Sequence, residues 1–561
     1  MAELVRDAIR SAIAAALDVA QADGTLPAVP VGEVVVERAQ KPEHGDYASS
    51  VALRLAGTLK RKPLEIAEAI AERVETGTLI GEASVAAPGF INVRLSQAWK
   101  RQQVDAIAAG GATWANLELG TGRATQVEFV SANPTGPLHV AHGRGAVLGD
   151  SMARVLEAAG YAVQREYYVN DAGSQARTFG ATLFARYQQL FGREAPIPED
   201  GYPGEYMIDL AEEIRSEVGE RYLNNDGATP ELTERGIALV IESIQADLEL
   251  LGVHFDHWFN ESSLFEGRPS LEGQSPYEAA MGRLREAGFV SEREGAVWFT
   301  STKLGEDKDD VLVRSSGEPT YFGSDVAYHF DKFVERSFER VIDVWGADHH
   351  GHVARTIAAS EAVGGPAGGL DILLYQLVHL RRGEERVRMG KRSGNLVLLR
   401  ELVTEVGKDA TRYFMLQRSS DAQMDFDLDV ATSQDPKQNP ASYVKYAHAR
   451  AASILRKGEE AGLRADGDVQ LLEQPEELAL IGEMLRLPEL IAYMAERLEP
   501  HHLTAYAMEL AQSFTDFYGA CRVIDAEAAE LSRARLRLTL AAKTTVARTL
   551  DLIGIDAPET M

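Results

Sequence analysis

Residues 126–150 read QVEFVSANPTGPLHVAHGRGAVLGD, and they set the architecture of the middle of the chain. The first five, QVEFV, form the short apolar run of a buried strand. After the turn SANPTGP, small and apolar residues predict a helix from about His139 to Ala159, which Gly160 ends. A second strand pattern, YAVQREYYV at 161–169, completes one βαβ unit. Because such units build parallel sheets, we expect a parallel sheet here.

A second half of the same sheet is predicted further along the chain. RVIDVWG (340–346) is a strand that leads into a turn and a helix, and LDILLYQLVHL (370–380) is a further apolar strand. Between the halves, about 185–255 has the pattern of an acidic, mostly helical insertion. We therefore predict a split, doubly wound, Rossmann-type α/β domain over residues 120–430.

One further domain is predicted on each side of this one. Residues 1–115 mix helical periods (LEIAEAIAERVE) with strand patterns (GEVVVERA, FINVRLS) and end near a Gly-Gly pair, which indicates a separate α+β domain. From 435 to 561 every pattern is helical, which predicts a C-terminal helical bundle. The expected fold class is therefore α/β plus all-α.

The composition limits the class of protein. One cysteine, Cys521, excludes a disulfide framework and any zinc site built on cysteines, and it fits a reducing compartment. No apolar run is long enough to span a bilayer. Glu3, Asp7 and Asp18 interrupt the Ala-rich N-terminus, which therefore resembles a surface helix and not a signal peptide. We expect a cytoplasmic protein with no membrane partner.

The net charge of −28 argues against a protein whose whole surface binds nucleic acid. The average conceals basic clusters, however. Seven Lys and Arg lie in 381–400, four in 443–457 and five in 531–548, the last two stretches without any acid. Such local basic faces suit an enzyme that handles a polyanion at chosen places, although a solvated helix face explains any single cluster equally well.

Three glycines after the turn invite comparison with a dinucleotide fingerprint. Gly143, Gly145 and Gly149 approach the G-x-G-x-x-G spacing, and Glu166 follows at a suitable distance for a ribose contact. The fingerprint needs its first glycine directly after the strand, whereas QVEFV ends well before Gly143. We expect instead that these glycines let the helix pack closely on the sheet.

The two histidines of HVAH need a different explanation. A metal site is disfavoured because no HExxH glutamate and no cysteine accompany His139 and His142. The free N–H groups and the dipole of a helix N-terminus attract phosphate oxygens, and imidazoles placed there can donate to a phosphoryl group. Pro134, Gly136 and Pro137 would let the backbone approach a nucleotide closely. The stretch therefore predicts a nucleotide phosphate site.

HVAH resembles the HIGH element of class I aminoacyl-tRNA synthetases, and RVRMGKRSGN (386–395) resembles their KMSKS loop. The resemblance implies that His139, His142, Lys391, Arg388 and Arg392 are catalytic and stabilise the phosphates of ATP. It implies an ATP site made of Pro134, Gly136, His139, His142, Gly143, Gly346, Asp348, Met389 and Lys391. Ala141 and Gly390 depart from the family pattern, as does Arg388, so their effect on the rate is open.

Further stretches resemble the arginyl-tRNA synthetase family in particular and cover nearly the whole chain. They are VEFVSANPTGPLHVAH, YYVNDAGSQ, WFNESS and TYFGSDVAYH in the middle, KPEHGDYASSVALRLA and APGFINVRL near the start, and NPASYVKYAHARAASIL and LIGIDAPETM near the end. The resemblance implies that Glu128 and Asn133 lie near the α-amino group of arginine. It also implies that Glu261, Tyr321 and Asp325 bind the guanidinium.

Physical chemistry supports that assignment. Two carboxylates and a phenol oxygen are acceptors suited to a planar guanidinium with five N–H donors. Without the resemblance, Asp325 would be an ordinary N-cap of the helix VAYHFDKFVE, and Glu261 a surface carboxylate after a strand. WGADHHGHVART (345–356) would contact the nucleotide or the amino acid, and the resemblance leaves the individual roles of its residues open.

The resemblance also implies contacts with tRNA at both ends of the chain. It implies that residues 1–115 form an additional tRNA-binding domain, in which His44, Asp46 and Tyr47 contact the tRNA. It also implies that residues 435–561 form an anticodon-binding domain. In the latter, Tyr443, Tyr446 and Arg450 combine aromatic rings with a cation, as single-stranded bases require. Tyrosines at this spacing are also common in helical cores.

The expected activity is ligation of L-arginine to tRNA(Arg) through an arginyl-adenylate, with ATP consumed and AMP and pyrophosphate released. Mg²⁺ would enter with ATP, no zinc is expected, and we expect a monomer. Two alternatives are a dinucleotide-dependent oxidoreductase, which would bind NAD(P) tightly, and a non-catalytic tRNA-binding paralogue, which would bind tRNA without activating arginine.

Overall fold

The computed structural model of the protein describes residues 4–30, 32–39, 41–225, 227–387 and 397–561. Its strands are β1 (Val36–Arg38), β2 (Tyr47–Ser49), β3 (Ile80–Ala86), β4 (Phe90–Leu95), β5 (Ala124–Glu128), β6 (Ala162–Val169), β7 (His257–Asn260), β8 (Val290–Arg293), β9 (Ala296–Phe299), β10 (Asp310–Val313), β11 (Arg340–Gly346), β12 (Leu370–Tyr375), β13 (Val378–Arg382), β14 (Glu385–Arg386) and β15 (Met424–Asp427).

The α-helices are α1 (Val5–Ala22), α2 (Val51–Leu59), α3 (Pro63–Ala71), α4 (Gln97–Gly110), α5 (Val140–Ala158), α6 (Gly173–Gln189), α7 (Tyr206–Val218), α8 (Thr229–Leu250), α9 (Pro276–Glu286), α10 (Tyr321–Phe330), α11 (Val353–Ala362), α12 (Leu399–Val406), α13 (Lys408–Leu416), α14 (Leu428–Thr432), α15 (Pro440–Glu460), α16 (Pro475–Met484), α17 (Leu487–Arg497), α18 (His502–Ala520) and α19 (Ala529–Ile553). A π-helical turn, Asp331–Glu335, directly follows α10.

The N-terminal part is an α+β unit, as predicted. Strands β1–β4 form an antiparallel sheet in the order β1-β2-β4-β3. Apolar residues of α1, α2 and α3 pack against this sheet in a separate core that includes Ile13, Val51, Ile66 and Val93. This unit therefore buries its own apolar surface, as an independent domain must.

The middle of the chain contains the predicted parallel sheet. Its strand order is β12-β11-β5-β6-β7, and all neighbouring strands run parallel. Because β5 and β11 are adjacent, with Glu128 opposite Asp343, the loops that follow both strands lie at one edge of the sheet. Ligands of doubly wound folds bind at that edge.

Helix α5 lies against this sheet through its glycines. It covers Val140–Ala158, with His139 at its N-cap, in agreement with the predicted helix. A Cβ atom on Gly149 would lie 2.2 Å from Cγ of Phe129, and one on Gly145 would lie 2.9 Å from the ring of Tyr375. The close packing on the sheet expected of Gly145 and Gly149 is therefore confirmed, whereas Gly143 packs against Leu399 of α12 instead.

Two features of the central region differ from the sequence prediction. The stretch 370–380, predicted as one strand, is divided into β12 in the parallel sheet and β13 in a second sheet with β14 and β15. The division occurs at Gln376, whose carbonyl accepts a hydrogen bond of 2.7 Å from the buried Arg144. Strands β8–β10, which form a small antiparallel sheet, were not predicted.

The insertion and the C-terminal region are helical, as predicted. Helices α6, α7 and α8 form the insertion, although α6 already begins at Gly173. Residues 435–561, all of them described, contain helices α15–α19 and no strand. The buried Arg412 joins the two regions, because it donates to the carbonyls of Ile553 at 2.7 Å and Leu251 at 3.2 Å and pairs with Asp150 of α5.

Candidate active site

The loop after β5 carries unusual backbone geometry. Val130 and Ser131 both have positive φ values, of +68° and +38°, which L-residues rarely adopt. This turn directs the chain from Glu128, at the end of β5, across the sheet edge to His139, the N-cap of α5. Strain of this kind is typical of functional loops.

The histidines of HVAH lie together at the N-terminus of α5. Their ring centroids are 3.8 Å apart, and the backbone N–H of His139 donates to Nδ1 of His142 at 3.2 Å. Burial lowers the pKa of His139, and burial together with the nearby His139 lowers the pKa of His142 to about 3. Both imidazoles are therefore neutral near pH 7, and each can donate one N–H to an anion.

The chain returns to HVAH after the KMSKS-like loop. The predicted residues Arg388, Met389, Lys391 and Arg392, together with Gly390, lie outside the described residues. The description resumes at Val397, whose carbonyl accepts a hydrogen bond of 3.1 Å from Val140 N–H. Leu399 N–H donates to the carbonyl of Leu138 at 2.9 Å. The first residues described after this gap therefore pair with the backbone on either side of His139.

The other predicted ATP residues surround the same edge of the sheet. Gly346 ends β11, and the exposed Asp348 follows it. Gly136 lies beside Tyr206 of the insertion, where an added Cβ would be 3.5 Å from the ring. Pro134 and Gly143 are buried, and a Cβ on Gly143 would be 2.7 Å from Leu399. Gly143 therefore serves close packing between α5 and α12.

The carboxylates predicted to bind guanidinium are placed by two different elements. Glu261, only 4% exposed, follows β7, and Asp325 lies one turn into α10, after Tyr321, which is 45% exposed. The N-cap of α10 is Thr320, whose hydroxyl accepts from Gly323 N–H at 3.1 Å. Asp325 lies in the second turn of α10 and is therefore not its N-cap. Glu261 is buried and is therefore not a surface carboxylate.

The electrostatic environment of these two carboxylates is unusual. Burial, together with the neighbouring Glu128 and Glu261, raises the pKa of Asp325 to about 7 against the opposing effect of His329. Burial also raises the pKa of Glu261, while the hydroxyl groups of Ser324 and Tyr168 partly offset this effect. Carboxylates held in this way favour a cationic ligand that restores their negative charge.

Several polar residues of this site were not identified from the sequence. Tyr168, at the end of β6, lies close enough to Glu261, Asp325 and Glu128 that their charges add to burial in raising its pKa. Asp171 accepts hydrogen bonds from the N–H and hydroxyl of Ser262, at 2.9 and 2.8 Å. When the side-chain amide of Asn170 is oriented to satisfy its hydrogen bonds, its nitrogen donates to Oε2 of Glu261 at 2.8 Å. Their position at or directly after the end of a strand of the predicted sheet was the signal available in the sequence.

Glu128 lies in a buried charge network. Its Oε2 accepts from Nζ of Lys332 at 2.6 Å, and its Oε1 accepts from the hydroxyl of Ser131 at 2.8 Å. Lys332 also donates to Asp343 at 2.8 Å, and Asp343 in turn contacts His329 at 3.1 Å. Lys332 was missed, although Tyr321, Asp325 and Lys332 recur at helical spacing. Asn133 is exposed on the loop above.

The predicted tRNA residues of the N-terminal unit differ in exposure. His44 is exposed, whereas Asp46 accepts from Lys100 Nζ at 2.5 Å and from Leu95 N–H at 2.7 Å. Tyr47 is fully buried, and its hydroxyl donates to Glu489 of α17 at 2.6 Å. As placed here, Tyr47 joins the N-terminal unit to the C-terminal bundle and has no surface to offer to tRNA.

The predicted residues of the C-terminal bundle include an exposed aromatic platform. The guanidinium of Arg450 lies 4.6 Å from the ring centroid of Tyr518, which was not predicted, and donates to its hydroxyl at 3.0 Å. Tyr446 is exposed and accepts from the same guanidinium at 3.3 Å. Tyr443 instead is partly buried and contacts Gln512 of α18.

Within the described residues, the geometry offers little to a resident metal ion near HVAH. The described part of the chain contains one group of three side chains that could supply metal ligands. It consists of Glu499, His501 and His502, just before and at the start of α18. No helix of the described chain is long and apolar enough to cross a membrane.

Comparison with known proteins agrees with this architecture. Three family models match the chain: "Arginyl tRNA synthetase N terminal domain" at residues 3–95, "tRNA synthetases class I (R), catalytic domain" at 105–433, and "DALR anticodon binding domain" at 444–561. The chain is 48% identical over 560 residues to an arginine–tRNA ligase of Dehalococcoides mccartyi, with 99% of each chain covered. It is 42% identical over 566 residues to that of Bacillus subtilis, with 100% of each covered.

A solved structure supports the same conclusion. The arginyl-tRNA synthetase of Thermus thermophilus superposes with a TM-score of 0.75 at 26% identity, covering 99% of this chain and 100% of the other. The chain is thus similar over its full length to arginine–tRNA ligases. This similarity accompanies the parallel sheet, the paired histidines at the start of α5, the carboxylates of the site and the helical C-terminal bundle. The chain belongs to the arginyl-tRNA synthetase family.

Proposed function

We propose that this chain ligates L-arginine to tRNA(Arg) through an arginyl-adenylate, using ATP. One observation carries the proposal: three carboxylates of different elements, Glu128, Glu261 and Asp325, converge at the sheet edge that also holds the paired histidines. A cation-binding site beside a phosphate-binding helix terminus is what arginine activation requires.

The guanidinium would be held by Glu261, Asp325 and Tyr321. A planar fork of five N–H donors needs acceptors in more than one direction, and these residues come from the loop after β7 and from the first turns of α10. Lysine offers only a compact ammonium and would leave buried acceptors unpaired, at a cost that gives strong discrimination. Tyr168 borders the same carboxylates and would complete the site.

Glu128 and Asn133 would hold the α-amino end of arginine. Each oxygen of Glu128 accepts one protein hydrogen bond, so lone pairs remain for an ammonium group. Asn133 lies exposed on the strained loop that leads to HVAH and could contact the same group. This arrangement would aim the α-carboxylate at the helix N-terminus.

ATP would bind across the carboxyl ends of β5 and β11. His139 and His142 would donate to the α-phosphate region, and Lys391, with Arg388 and Arg392, would stabilise the departing pyrophosphate. Pro134, Gly136, Gly346, Asp348 and Met389 would line the nucleotide, with Gly143 acting behind them through packing. The side chains at HVAH are imidazoles, which suit phosphate oxygens better than Mg²⁺, so Mg²⁺ would arrive with ATP and neutralise phosphate charge.

The reaction then needs no covalent enzyme intermediate. The α-carboxylate of arginine forms a bond to the α-phosphorus of ATP while the bond to pyrophosphate breaks, giving arginyl-adenylate. The 2′-OH of the terminal adenosine of tRNA attacks the activated carbonyl, loses its proton, and AMP leaves. Positioning and electrostatic stabilisation supply the catalysis.

The flanking regions would bind the tRNA. Residues 435–561 would read the anticodon, with Arg450 and Tyr446 as an exposed stacking platform, and residues 1–115 would contact the tRNA body through the surface around His44 and Asp46. We propose that the protein acts as a cytoplasmic monomer.

A charging assay tests the proposal. The purified chain is incubated with ATP, Mg²⁺, bulk bacterial tRNA and each labelled amino acid separately. We expect arginine alone to enter alkali-labile material that precipitates with tRNA. Esterification of another amino acid, or none with arginine while tRNA is bound, would overturn the proposed function.

A further inference from the structure

Lys332 is a charged residue with no exposed surface. Its Nζ lies 2.6 Å from Glu128 Oε2, 2.8 Å from Asp343 Oδ1 and 4.2 Å from the ring centroid of Tyr328. An unpaired ammonium is too costly to bury, so these partners account for its position. The two carboxylates raise the pKa of Lys332 although burial opposes them.

The π-helical turn after α10 brings this side chain under the sheet edge. The turn is closed by a hydrogen bond of 2.9 Å from Arg336 N–H to the carbonyl of Asp331. Asp331 pairs with Arg268 at 2.5 Å, and Arg336 pairs with Glu166 at 2.8 Å. Ion pairs on both sides of Lys332 therefore anchor the turn, and single π-turns recur at functional sites.

Lys332 acts directly on Glu128. Burial raises the pKa of Glu128, and the ammonium of Lys332 and the hydroxyl of Ser131 oppose that effect. Without the ammonium, the buried carboxyl group would take up a proton more readily and would lose one of the two contacts that orient it. A protonated Glu128 would bind an ammonium group poorly.

We propose that Lys332 is a positioning residue for the α-amino group of arginine: it holds the Glu128 carboxylate charged and aimed at the substrate. The inference rests on the proposed function, because it gives Glu128 that ligand. Lys332 makes no hydrogen bond or ion pair with Asp325 or Glu261, the proposed guanidinium ligands, among the described contacts, so its direct effect falls on Glu128.

The test compares two ligands that differ only in the α-amino group. Calorimetry, with competition where binding is weak, measures the dissociation constants of L-arginine and of 5-guanidinopentanoic acid, which lacks that group. For Lys332→Met we expect the affinity for L-arginine to fall about 10-fold or more, as for a lost charged hydrogen bond, and that for the analogue to change less than about 2-fold. Lys332→Arg, which keeps the charge, should retain more of the preference for L-arginine.

Control variants separate this role from general damage. Arg268→Met removes the partner of Asp331 on the same turn, and it should leave the ratio of the two affinities unchanged. Lys332→Gln keeps a polar side chain if the methionine variant does not fold, and it should still lower the ratio. An unchanged ratio in both neutral Lys332 variants, or equal losses for both ligands, would overturn the inference. Wild-type protein that binds neither ligand would instead refute the proposed function.

Discussion

Nδ1 of His142 accepts a hydrogen bond of 3.2 Å from the backbone N–H of His139. Because this nitrogen is the acceptor, a neutral His142 carries its proton on Nε2. The depressed pKa of His142, about 3, keeps the ring neutral throughout the working range of pH. His142 therefore offers a defined N–H donor at the N-terminus of α5, where phosphate is attracted.

Replacements of His142 should distinguish its two nitrogens. His142→Ala should lower kcat for adenylate formation about 10²-fold, with little change in the KM for arginine, because it removes a donor to developing charge. His142→Gln can place an amide N–H near the Nε2 position, whereas His142→Asn replaces only the Nδ1 acceptor. We expect the glutamine variant to retain more activity in steady-state kinetics. Equal kcat in the asparagine variant and the wild type would remove His142 from the mechanism.

Asp325→Asn should act on arginine and not on ATP. Loss of the partly buried carboxylate proposed to bind the guanidinium should raise the KM for arginine about 10²-fold, while the KM for ATP changes less than about 2-fold. Glu318→Gln, an exposed acid shortly before α10, is the matched control and should behave like wild type. Equal increases in both KM values would indicate general damage to the site.

The pKa of Asp325 predicts a pH dependence. Since the pKa is raised to about 7, kcat/KM for arginine should rise as the pH increases through about 7, where the free enzyme loses this proton. A profile that is flat between about pH 6 and pH 8 would argue against Asp325 as the guanidinium ligand. The measurement requires saturating ATP and tRNA at each pH.

The same shift predicts a trade-off between stability and binding. The unfolded chain loses the Asp325 proton near 3.8 and the folded chain near 7, so between these values the folded state binds more protons and loses stability as the pH rises. Asp325→Asn should therefore have a higher Tm than wild type at pH 8, with a smaller difference at pH 4. A lower Tm at pH 8 would contradict the assigned burial of this charge.

The close packing of α5 gives a prediction that is independent of catalysis. Gly149→Ala places a methyl group against Phe129 and should cost about 1–3 kcal/mol of stability through overpacking. Gly57→Ala, in α2 with open space around it, should instead stabilise the protein by about 0.5–1 kcal/mol. Urea denaturation of both variants measures the difference, and equal effects would refute the packing role of Gly149.

Much of the fold follows from local sequence patterns. The unit from β5 to β6 was predicted because a short apolar run, a Pro/Gly turn and a capped helix each have a local signature. The division of the predicted strand at Gln376 was not predicted. It depends on Arg144, which lies 232 positions away in the sequence and donates a hydrogen bond to the Gln376 carbonyl. Periodicity cannot report such a long-range partner.

The site shows the same division. Glu261 and Asp325 were identified because the quoted motifs resemble those of a known family, and their burial became visible only in the folded chain. Lys332 and Tyr518 carry no motif, and their roles depend on partners far away in sequence, Glu128 for the first and Arg450 for the second. A lysine is normally a surface residue, so its sequence context alone predicts exposure.

The most direct test of the central claim is ATP–pyrophosphate exchange with each of the twenty amino acids, with and without tRNA. The account predicts exchange with arginine alone, and a requirement for tRNA would show that tRNA docking completes the site. Exchange with a different amino acid, or no exchange with arginine under either condition while tRNA still binds, would contradict the claim that this chain activates arginine.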